Sequence, residues 1–402
     1  MAKVLVSLIG DQTAPNIFVI RDERFRDVDR HLFISTEQMQ RKGRVAQIRQ
    51  ALDLPEEKVR VAIVPADELG GILGALDALR LDPADDYHLN LTSGTKIMSV
   101  GLYAFFTKKP FRSTIFYVPM GRRRYREIYP LADGPEYELT HQINLQEYLG
   151  SYGILLQSDG LNPKSGFPFG YTDQIRQWYL EADRGFTREG RPFHYYAQAV
   201  RERLNRQRKE GKAAEAIKWS DTPQLGDFLE EIGFAAETAG LLNRREIDYL
   251  TGGWFEEWAY ELIRTQLGLP PGAIGTGVEI LQDRLVGKYA NNEFDLVFFY
   301  RDTLYVVECK SGMGFRFKET RELFENTVYR LAALRWVFGR NVHASVLTLS
   351  DRLREGRQRK RKKVFAERAA LMNISLLDRD DLAVDPAVWV ARLVGDPTGL
   401  FD

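Results

Sequence analysis

The stretch NEFDLVFFYRDTLYVVECKS, residues 292–311, contains two apolar runs separated by a polar break at Arg301 and Asp302. Runs of this length that are rich in valine, phenylalanine and tyrosine are typical of β-strands, and the break between them predicts a hairpin. Side chains two positions apart in a strand point to the same face of the sheet. Glu308 and Lys310 therefore share one face at the end of the second strand.

The register of this hairpin decides which side chain faces which. A two-residue turn places Asp295 directly opposite Glu308, and Glu293 directly opposite Lys310. A three-residue turn would instead place Cys309 opposite Asp295. Directly opposed side chains have Cβ atoms about 5 Å apart. In the first register the two carboxylates would repel each other unless a positive charge lay between them.

A divalent cation is one way to supply that charge. Asp295 and Glu308 can bind Mg²⁺ or Mn²⁺ through oxygen, with a backbone carbonyl near Cys309, water and a substrate phosphate in the remaining positions. Lys310 would then orient or help to deprotonate an attacking water. The alternative is a surface ion-pair cluster at a strand end that carries no chemistry.

The overall composition is that of a globular protein of two or three domains, with 402 residues of which 44% are apolar and 28% are charged. No uncharged apolar run approaches the roughly 18 residues of a membrane span, and the N-terminus lacks a cleavage site, so we expect a cytoplasmic protein without a membrane partner. Cys309 is the only cysteine, which excludes an internal disulfide and a multi-cysteine metal site. Basic and acidic residues are equal at 56 each, so net charge does not indicate a nucleic-acid partner.

The chain divides into unlike parts, and the predicted fold class is α/β. Over residues 1–150, runs such as KVLVSLIG, HLFIST and VRVAIVP alternate with helical patterns, which predicts a mostly parallel, Rossmann-like sheet. Residues 151–246 read as a helical connector. Residues 247–402 begin with an amphipathic helix and continue with strands, a long helix and a further strand, which predicts a second α/β domain.

A second candidate site lies in YHLNLTSGTKIMSVGLYAFF, residues 87–106, where a strand, a Ser/Thr/Gly turn and a helix follow one another. Backbone N–H groups at a helix N-terminus attract anions, and Thr95 and Lys96 add donors. The spacing is neither that of a P-loop nor that of a dinucleotide fingerprint. The loop GDQTAPN after the first strand lies at the same edge of the predicted sheet. The alternative for the turn at Thr95 is a capped helix without a ligand.

Two basic runs, GRRRYR at 121–126 and RQRKRKK at 357–363, are able to contact phosphates. Such runs are more often solvated surface, so they do not decide the function.

The spacing of Asp295 and the Glu308-Cys309-Lys310 triplet resembles the PD-(D/E)XK restriction-endonuclease-like nucleases. In that family a helix ahead of the strands often supplies another acid, and Glu256 in GGWFEEWAYELI matches this position. Phe294 stands where the family name has proline, which is a departure from the pattern. The resemblance implies metal-dependent phosphodiester hydrolysis, with Asp295, Glu308 and the backbone carbonyl of Cys309 as metal ligands.

Together, the GDQTAPN and TSGTK loops and the C-terminal ECKS motif resemble CRISPR-associated ancillary nucleases. In these proteins a CARF (CRISPR-associated Rossmann fold) sensor is fused to a PD-(D/E)XK nuclease domain. The ligand-facing residues that the resemblance implies are Gly10, Gln12, Thr13, Asn16, Ser93, Gly94, Thr95 and Lys96. The catalytic residues that it implies are Glu256, Asp295, Glu308 and Lys310.

The same resemblance implies a homodimer that acts in type III CRISPR antiviral defence. Its sensor domains would bind cyclic oligoadenylate, most often cyclic tetra-adenylate, and its nuclease domains would then cleave DNA and possibly RNA with Mg²⁺ or Mn²⁺. The alternative is a regulator whose sensor binds a cyclic nucleotide and whose C-terminal domain binds nucleic acid or a partner without cutting. Intact acids at positions 295 and 308 and the lysine at 310 favour the nuclease.

Overall fold

The computed structural model describes residues 1–119, 122–132, 134–156, 166–180, 216–218, 223–282, 292–312, 317–356 and 358–395. Two mixed β-sheets dominate this part of the chain, and helices cover both. Among the helices described, none is both long and apolar enough to span a bilayer.

The first sheet has seven strands in the order β3-β2-β1-β4-β5-β6-β7. Its first five strands run parallel, β6 pairs antiparallel with β5, and β7 pairs antiparallel with β6. The parallel sheet over the N-terminal part confirms the predicted Rossmann-like architecture. The strands are β1 (Lys3–Leu8), β2 (Arg30–Ser35), β3 (Val59–Ile63), β4 (Asp86–Asn90), β5 (Arg112–Tyr117), β6 (Arg124–Tyr129) and β7 (Glu136–Glu138).

Helices pack on both faces of this sheet, because strands such as β1 bury side chains in both directions. One face packs against α4 and α5, and the other packs towards α1 and α6 and the second sheet. The helices are α1 (Ala14–Arg21), α2 (Glu37–Arg41), α3 (Arg44–Ala51), α4 (Leu69–Ala78), α5 (Lys96–Lys108) and α6 (Leu145–Ser151).

The second sheet has six strands in the order β17-β14-β13-β12-β11-β8. Strands β11, β12 and β13 are antiparallel neighbours, whereas β13, β14 and β17 are parallel. Two two-stranded sheets, β9 with β10 and β15 with β16, lie outside it. The strands are β8 (Ile154–Leu156), β9 (Ala216–Lys218), β10 (Leu241–Asn243), β11 (Ile274–Gln282), β12 (Asn292–Tyr300), β13 (Thr303–Lys310), β14 (Val342–Thr348), β15 (Arg354–Glu355), β16 (Lys360–Arg361) and β17 (Ile374–Leu377).

One face of the second sheet packs against the tryptophans of α10 and α14, and the other packs against α11. The helices of this part are α7 (Phe169–Leu180), α8 (Pro223–Glu231), α9 (Arg244–Asp248), α10 (Trp254–Gln266), α11 (Phe317–Arg335), α12 (Lys363–Leu371), α13 (Arg379–Leu382) and α14 (Pro386–Leu393). A single π-helical turn, Tyr249–Gly253, joins α9 to α10.

The connector differs from the all-helical segment predicted over residues 151–246. Its described parts contain helices α7, α8 and most of α9, but also the three short strands β8, β9 and β10. Strand β8 pairs with β11 and so forms the edge of the second sheet. A three-residue strand carries too short a pattern to be recognised in sequence, and its pairing with a partner more than a hundred residues away decides its conformation.

The hairpin at the centre of the second sheet has the two-residue turn on which the register argument depends. Arg301 and Asp302 both have positive φ, at 45° and 62°, as a type I′ turn requires. The backbone pairing extends from the residues that flank the turn to Leu296 and Val307. This is the first of the two predicted registers, and the three-residue turn is excluded.

The turn residue Asp302 is 8% exposed, and its side chain contacts the N-terminal domain. Its Oδ1 lies 3.8 Å from Arg123 Nε, and its Oδ2 has no hydrogen-bond partner among the residues described. Burial raises the pKa of this carboxyl from 3.8 to about 6, which the Arg123 charge partly opposes. Since the folded state binds the proton more tightly, ionisation of Asp302 costs stability as the pH rises from about 4 to about 6.

We expect Asp302→Asn to stabilise the metal-free protein by up to about 2 kcal/mol at pH 8, because it removes a buried charge while asparagine keeps the left-handed backbone. The gain should shrink between pH 6 and pH 4, as measured by thermal unfolding across this range. Asp53→Asn is the matched control, since Asp53 also has positive φ but is exposed. A gain that is the same at pH 4 and pH 8 would contradict the assignment.

Candidate active site

The ends of strands β12 and β13 bring three of the predicted site residues together. Lys310 Nζ lies 3.2 Å from Asp295 Oδ2 and 2.5 Å from Glu308 Oε1. The ammonium group therefore bridges the two carboxylates, which lie directly beyond the last regular pair, Leu296 with Val307. Glu308 is 2% exposed, so this is a largely buried charge cluster and differs from the surface ion pair considered as the alternative. The catalytic roles of the three residues stay predictions.

A backbone hydrogen bond fixes the direction of the Asp295 side chain. The Cys309 N–H donates to Asp295 Oδ2 at 2.7 Å, one residue beyond the last regular backbone pair, Leu296 with Val307. The carboxylate thus takes the place that a strand carbonyl would occupy in the ladder. This arrangement holds Asp295 across the hairpin from the Glu308-Cys309-Lys310 triplet.

Glu256 approaches the same cluster from the first turn of α10. Burial raises the pKa of its carboxyl well above 4.5, and the negative charge of Asp295 raises it further, while Lys310 opposes the shift. The pKa of Asp295 is likewise raised, to about 6, by burial first and also by Glu308, against the opposing charge of Lys310. Three acids therefore share one lysine, and each additional negative charge is costly.

The donor set fits a hard divalent cation. Carboxylate oxygens are the ligands that Mg²⁺ and Mn²⁺ prefer, and a cation would relieve the repulsion that raises the pKa of Glu256 and Asp295. As the side chains stand, however, no three acidic, histidine or cysteine groups within the described ranges lie close enough to enclose a metal ion. Asp295 and Glu308 are instead paired with basic side chains.

Arg330 is the site residue that sequence reasoning missed. It lies on α11, and its Nη2 forms an ion pair with Glu308 Oε2, while Lys310 holds Glu308 Oε1. Glu308 points to the sheet face that α11 covers, because it shares that face with the buried Val306 and Leu304 of the same strand. An arginine in an amphipathic helix carries no signal that it will meet a strand end twenty-two positions upstream.

A cavity of about 720 Å³ opens beside the cluster. Its wall includes Glu256, Asp295 and Lys310 from the site, together with Arg244 and Arg245 from α9. Glu308 does not line it. The cleft is lined by both acidic and basic side chains, and Arg244 and Arg245 also pair with Asp248 and Glu237.

The π-helical turn before α10 is tied to the residue that follows β13. Ser311 Oγ donates to the carbonyl of Thr251 at 2.8 Å. Gly252, in the same turn, lines the cavity, and a Cβ at this position would have no neighbouring atom within 4 Å. Such turns are frequent at functional sites. The Ser311 bond fixes the start of α10, and hence Glu256, relative to the end of β13.

The two predicted loops of the N-terminal domain meet at the carboxyl edge of the first sheet. A Cβ on Gly10 would stand 2.7 Å from the backbone nitrogen of Gly94, so only glycine allows this approach. Gly94 has φ of 78°, and the hydroxyl of Thr95 caps α5 by accepting from the Met98 N–H at 3.2 Å. Gly94 and Lys96 are exposed at this helix N-terminus, which leaves room for an anion.

Other predicted ligand residues hold the loops together. Thr13 and Asn16 are fully buried; Thr13 Oγ1 bonds Ser151 Oγ at 2.8 Å, and Asn16 Nδ2 donates to the Leu8 carbonyl. These two side chains are buried and shape the loop, and their expected role in ligand binding stays a prediction. Burial of a polar side chain is set by long-range packing that the loop sequence does not show.

Gln12 and Ser93 connect the loops to each other and to the second domain. Ser93 Oγ donates to the Gln12 carbonyl at 3.0 Å. The side-chain oxygen of Gln12 accepts from the backbone N–H of Arg340 at 2.9 Å. The predicted ligand loop is therefore in direct contact with the C-terminal domain.

Both basic runs are largely engaged in ion pairs. In the first, Arg126 pairs with Glu136, which belongs to β7. In the second, Arg359 pairs with Asp380, and Arg361 pairs with Asp378 and Asp381. These guanidinium groups tie hairpins to their neighbours, which reduces their availability to phosphates.

In a comparison with known proteins, two separate parts of the chain each match a domain family. Residues 4–148 match the family described as the Card1 CARF domain, and residues 243–382 match the family described as the Card1-like endonuclease domain. No curated protein sequence matches the chain significantly.

Three solved structures have a similar fold. The protein VC1899 from Vibrio cholerae is 17% identical with a TM-score of 0.73, and the alignment covers 99% of this chain and 98% of that one. Can2 from Sulfobacillus thermosulfidooxidans, solved with cyclic tetra-adenylate, is 19% identical with a TM-score of 0.64 and coverages of 98% and 96%. A type III CRISPR defence DNA nuclease activated by cyclic oligoadenylate is 18% identical with a TM-score of 0.51, and coverages of 87% and 45%.

We expect Lys310→Met to destabilise the metal-free protein by about 2 kcal/mol at pH 8, because it leaves the Asp295 and Glu308 carboxylates without their shared cation. The value is at the low end for a broken buried pair, since the Lys310 side chain is 33% exposed. The loss should be smaller at pH 5, where Asp295, with a pKa of about 6, is protonated. Thermal unfolding in EDTA at both pH values measures it.

Lys318→Met is the matched control, because Lys318 pairs with Glu322 on the exposed face of α11 and should contribute little. Equal effects of the two substitutions in EDTA would contradict a buried charge cluster at Lys310.

Proposed function

Because the chain belongs to the family that joins a Card1-type CARF domain to a Card1-like endonuclease domain, we propose that it is a metal-dependent nuclease of type III CRISPR antiviral defence. Cyclic oligoadenylate, in the first instance cyclic tetra-adenylate, switches it on. The observation that carries the proposal is the convergence of Asp295, Glu308 and Lys310 beside a cavity to which Glu256 also contributes. The two family matches supply the sensor and the endonuclease.

Each residue of the site has a role that its position supports. The carboxylates of Glu256, Asp295 and Glu308, with the backbone carbonyl of Cys309, would hold Mg²⁺ or Mn²⁺. A bound cation supplies a Lewis acid for the scissile phosphate and lowers the pKa of a water ligand. Burial lowers the pKa of Lys310, and the nearby carboxylates raise it by more. Lys310 would orient or help to deprotonate the attacking water and would stabilise negative charge on the phosphate.

The sensor site is the edge where the Gly10 and Gly94 loops meet. The N-terminus of the thirteen-residue helix α5, the exposed Lys96 and the backbone of Gly94 provide donors for a phosphate. The Can2 neighbour was solved with cyclic tetra-adenylate, which supports the same ligand class here. Gln12 would join ligand recognition to the second domain, since it already accepts from Arg340.

A homodimer would present two such edges to one ring-shaped ligand. Ile97, Val100 and Tyr103 lie on one side of α5 and are 36%, 53% and 40% exposed, beside Leu69 of α4, which is 41% exposed. An exposed apolar helix face next to the ligand loop is typical of an interface. A symmetric cyclic ligand would fit between two copies of the chain that are related by a two-fold axis.

A second candidate function is a regulator that binds cyclic oligoadenylate and nucleic acid without cleavage. One observation favours it: both oxygens of Glu308 are in ion pairs, with Lys310 and Arg330, and no three-ligand metal cluster stands among the side chains that the structure describes. The cleavage assay separates the two functions.

We expect labelled DNA, and in a parallel reaction RNA, to be cut only when cyclic tetra-adenylate and Mn²⁺ or Mg²⁺ are both present. Asp295→Asn should lower the cleavage rate at least about 100-fold, because it removes a metal ligand, while ligand binding by calorimetry stays unchanged. Lys96→Met should instead weaken activation by the ligand. It should raise the activator concentration for half-maximal cleavage about tenfold, because it removes one charged phosphate contact.

Cyclic tetra-adenylate binding with no cleavage of either nucleic acid in any metal would favour the regulator. Cleavage at full rate by the Asp295 variant would refute the assigned site, and cleavage that ignores the ligand would refute the sensor.

We expect Val100→Glu to convert the dimer to a monomer in light scattering after size exclusion, since it places two like charges in the apolar face of α5. Val388→Glu is the control, because Val388 is 41% exposed on a helix of the other domain. A dimer that survives Val100→Glu unchanged would exclude this face as the interface.

A further inference from the structure

Arg330 holds the one acid of the site that does not line the cavity. Its guanidinium pairs with Glu308 Oε2, and Lys310 Nζ pairs with Oε1 at 2.5 Å. Glu308 is 2% exposed, so water cannot take over these contacts. Ion pairs between arginine and a carboxylate are strong when they are shielded from solvent.

This arrangement sets a condition on metal binding. A divalent cation needs an open carboxylate oxygen from Glu308. Lys310 pairs with Oε1, and Arg330 lies against Oε2 at ion-pair distance without the alignment of a hydrogen bond, so Oε2 is the more weakly held of the two. Lys310 also pairs with Asp295 of the neighbouring strand β12 at 3.2 Å, so it is anchored within the β12–β13 hairpin. Arg330 comes from a different element, α11, and its side chain is 42% exposed. A movement of α11 would therefore break the contact between Arg330 and Glu308.

The far end of α11 is attached to the N-terminal domain. The helix ends at Arg335 and continues through the 3-10 turn Trp336–Phe338 to Gly339 and Arg340. Tyr148 donates its hydroxyl to the Phe338 carbonyl at 3.0 Å, and a Cβ on Gly339 would stand 2.6 Å from the hydroxyl oxygen of Tyr152. This junction is tightly packed, so a shift on the sensor side must be transmitted or resisted there.

The sensor loop itself makes the third contact with this junction. Gln12 accepts from the Arg340 N–H at 2.9 Å and from the Tyr152 hydroxyl at 3.3 Å. The Gln12 carbonyl accepts from Ser93 of the opposite loop. One chain of contacts from the loop at Gln12 to Arg330 passes through the Arg340 turn and the last two turns of α11.

We propose that Arg330 is a gate that competes with the divalent cation for Glu308, and that α11 transmits the state of the Gln12 loop to it. The proposal rests on the proposed function. In the absence of ligand, the loop holds the Arg340 turn, α11 keeps Arg330 on Glu308, and the metal binds weakly. When a ligand rearranges the loop, α11 withdraws Arg330, and Glu308 Oε2 becomes available. The ligand must bind the withdrawn state more tightly for this to occur.

The test measures Mn²⁺ affinity without substrate, from the free-ion signal in electron paramagnetic resonance. We expect Arg330→Gln to bind Mn²⁺ about tenfold more tightly than the native chain in the absence of ligand, because it removes the competing charge. Cyclic tetra-adenylate should tighten Mn²⁺ binding by the native chain to a similar level and change the Arg330 variant little. Arg330→Lys, which keeps the charge, should resemble the native chain.

Arg321→Gln is the matched control, since Arg321 is on the same helix and pairs with Glu325 at 3.0 Å. It should leave Mn²⁺ affinity unchanged. Equal or weaker Mn²⁺ binding by Arg330→Gln would overturn the gate, and if that variant does not fold, tight ligand-independent binding by Arg330→Lys would overturn it too. If cyclic tetra-adenylate does not change the Mn²⁺ affinity of the native chain, transmission through α11 is refuted. Absence of Mn²⁺ binding in every variant and state would count against the proposed function itself.

Discussion

The two-residue turn at Arg301 and Asp302 is the constraint on which the site depends. It fixes the register of β12 against β13 as far as Leu296 and Val307, and so brings Asp295 and Glu308 to the end of the paired region, where both contact Lys310. Two such charges in a buried position are stable only with a positive partner. Lys310 supplies that charge from within the hairpin, and the rest of the site is arranged around this local conflict.

Much of this arrangement could be predicted, because it follows from short-range rules. Alternation along a strand puts Glu308 and Lys310 on one face, and the turn length puts Asp295 opposite Glu308. The parallel sheet of the N-terminal domain follows in the same way from buried strands that alternate with helices. The capped helix at Thr95 follows from a hydroxyl placed immediately before a helical pattern.

What could not be predicted depends on long-range packing. Arg330 reaches Glu308 only because α11 covers that face of the sheet, and Gln12 reaches Arg340 only because the two domains share a core. The burial of Thr13 and Asn16 has the same origin. None of these contacts has a local pattern, since helix orientation and domain docking are decided by side chains far apart in sequence. Among them, the bond between Gln12 and Arg340 connects the two domains.

The most direct test of the central claim is to locate the metal. Crystals grown with Mn²⁺ and cyclic tetra-adenylate would be measured at the manganese absorption edge, where the ion alone gives a strong anomalous signal. The account predicts an anomalous peak in contact with the carboxylates of Asp295 and Glu308. A peak elsewhere in the chain, or no peak while Lys310 and Arg330 still hold both acids, would contradict it.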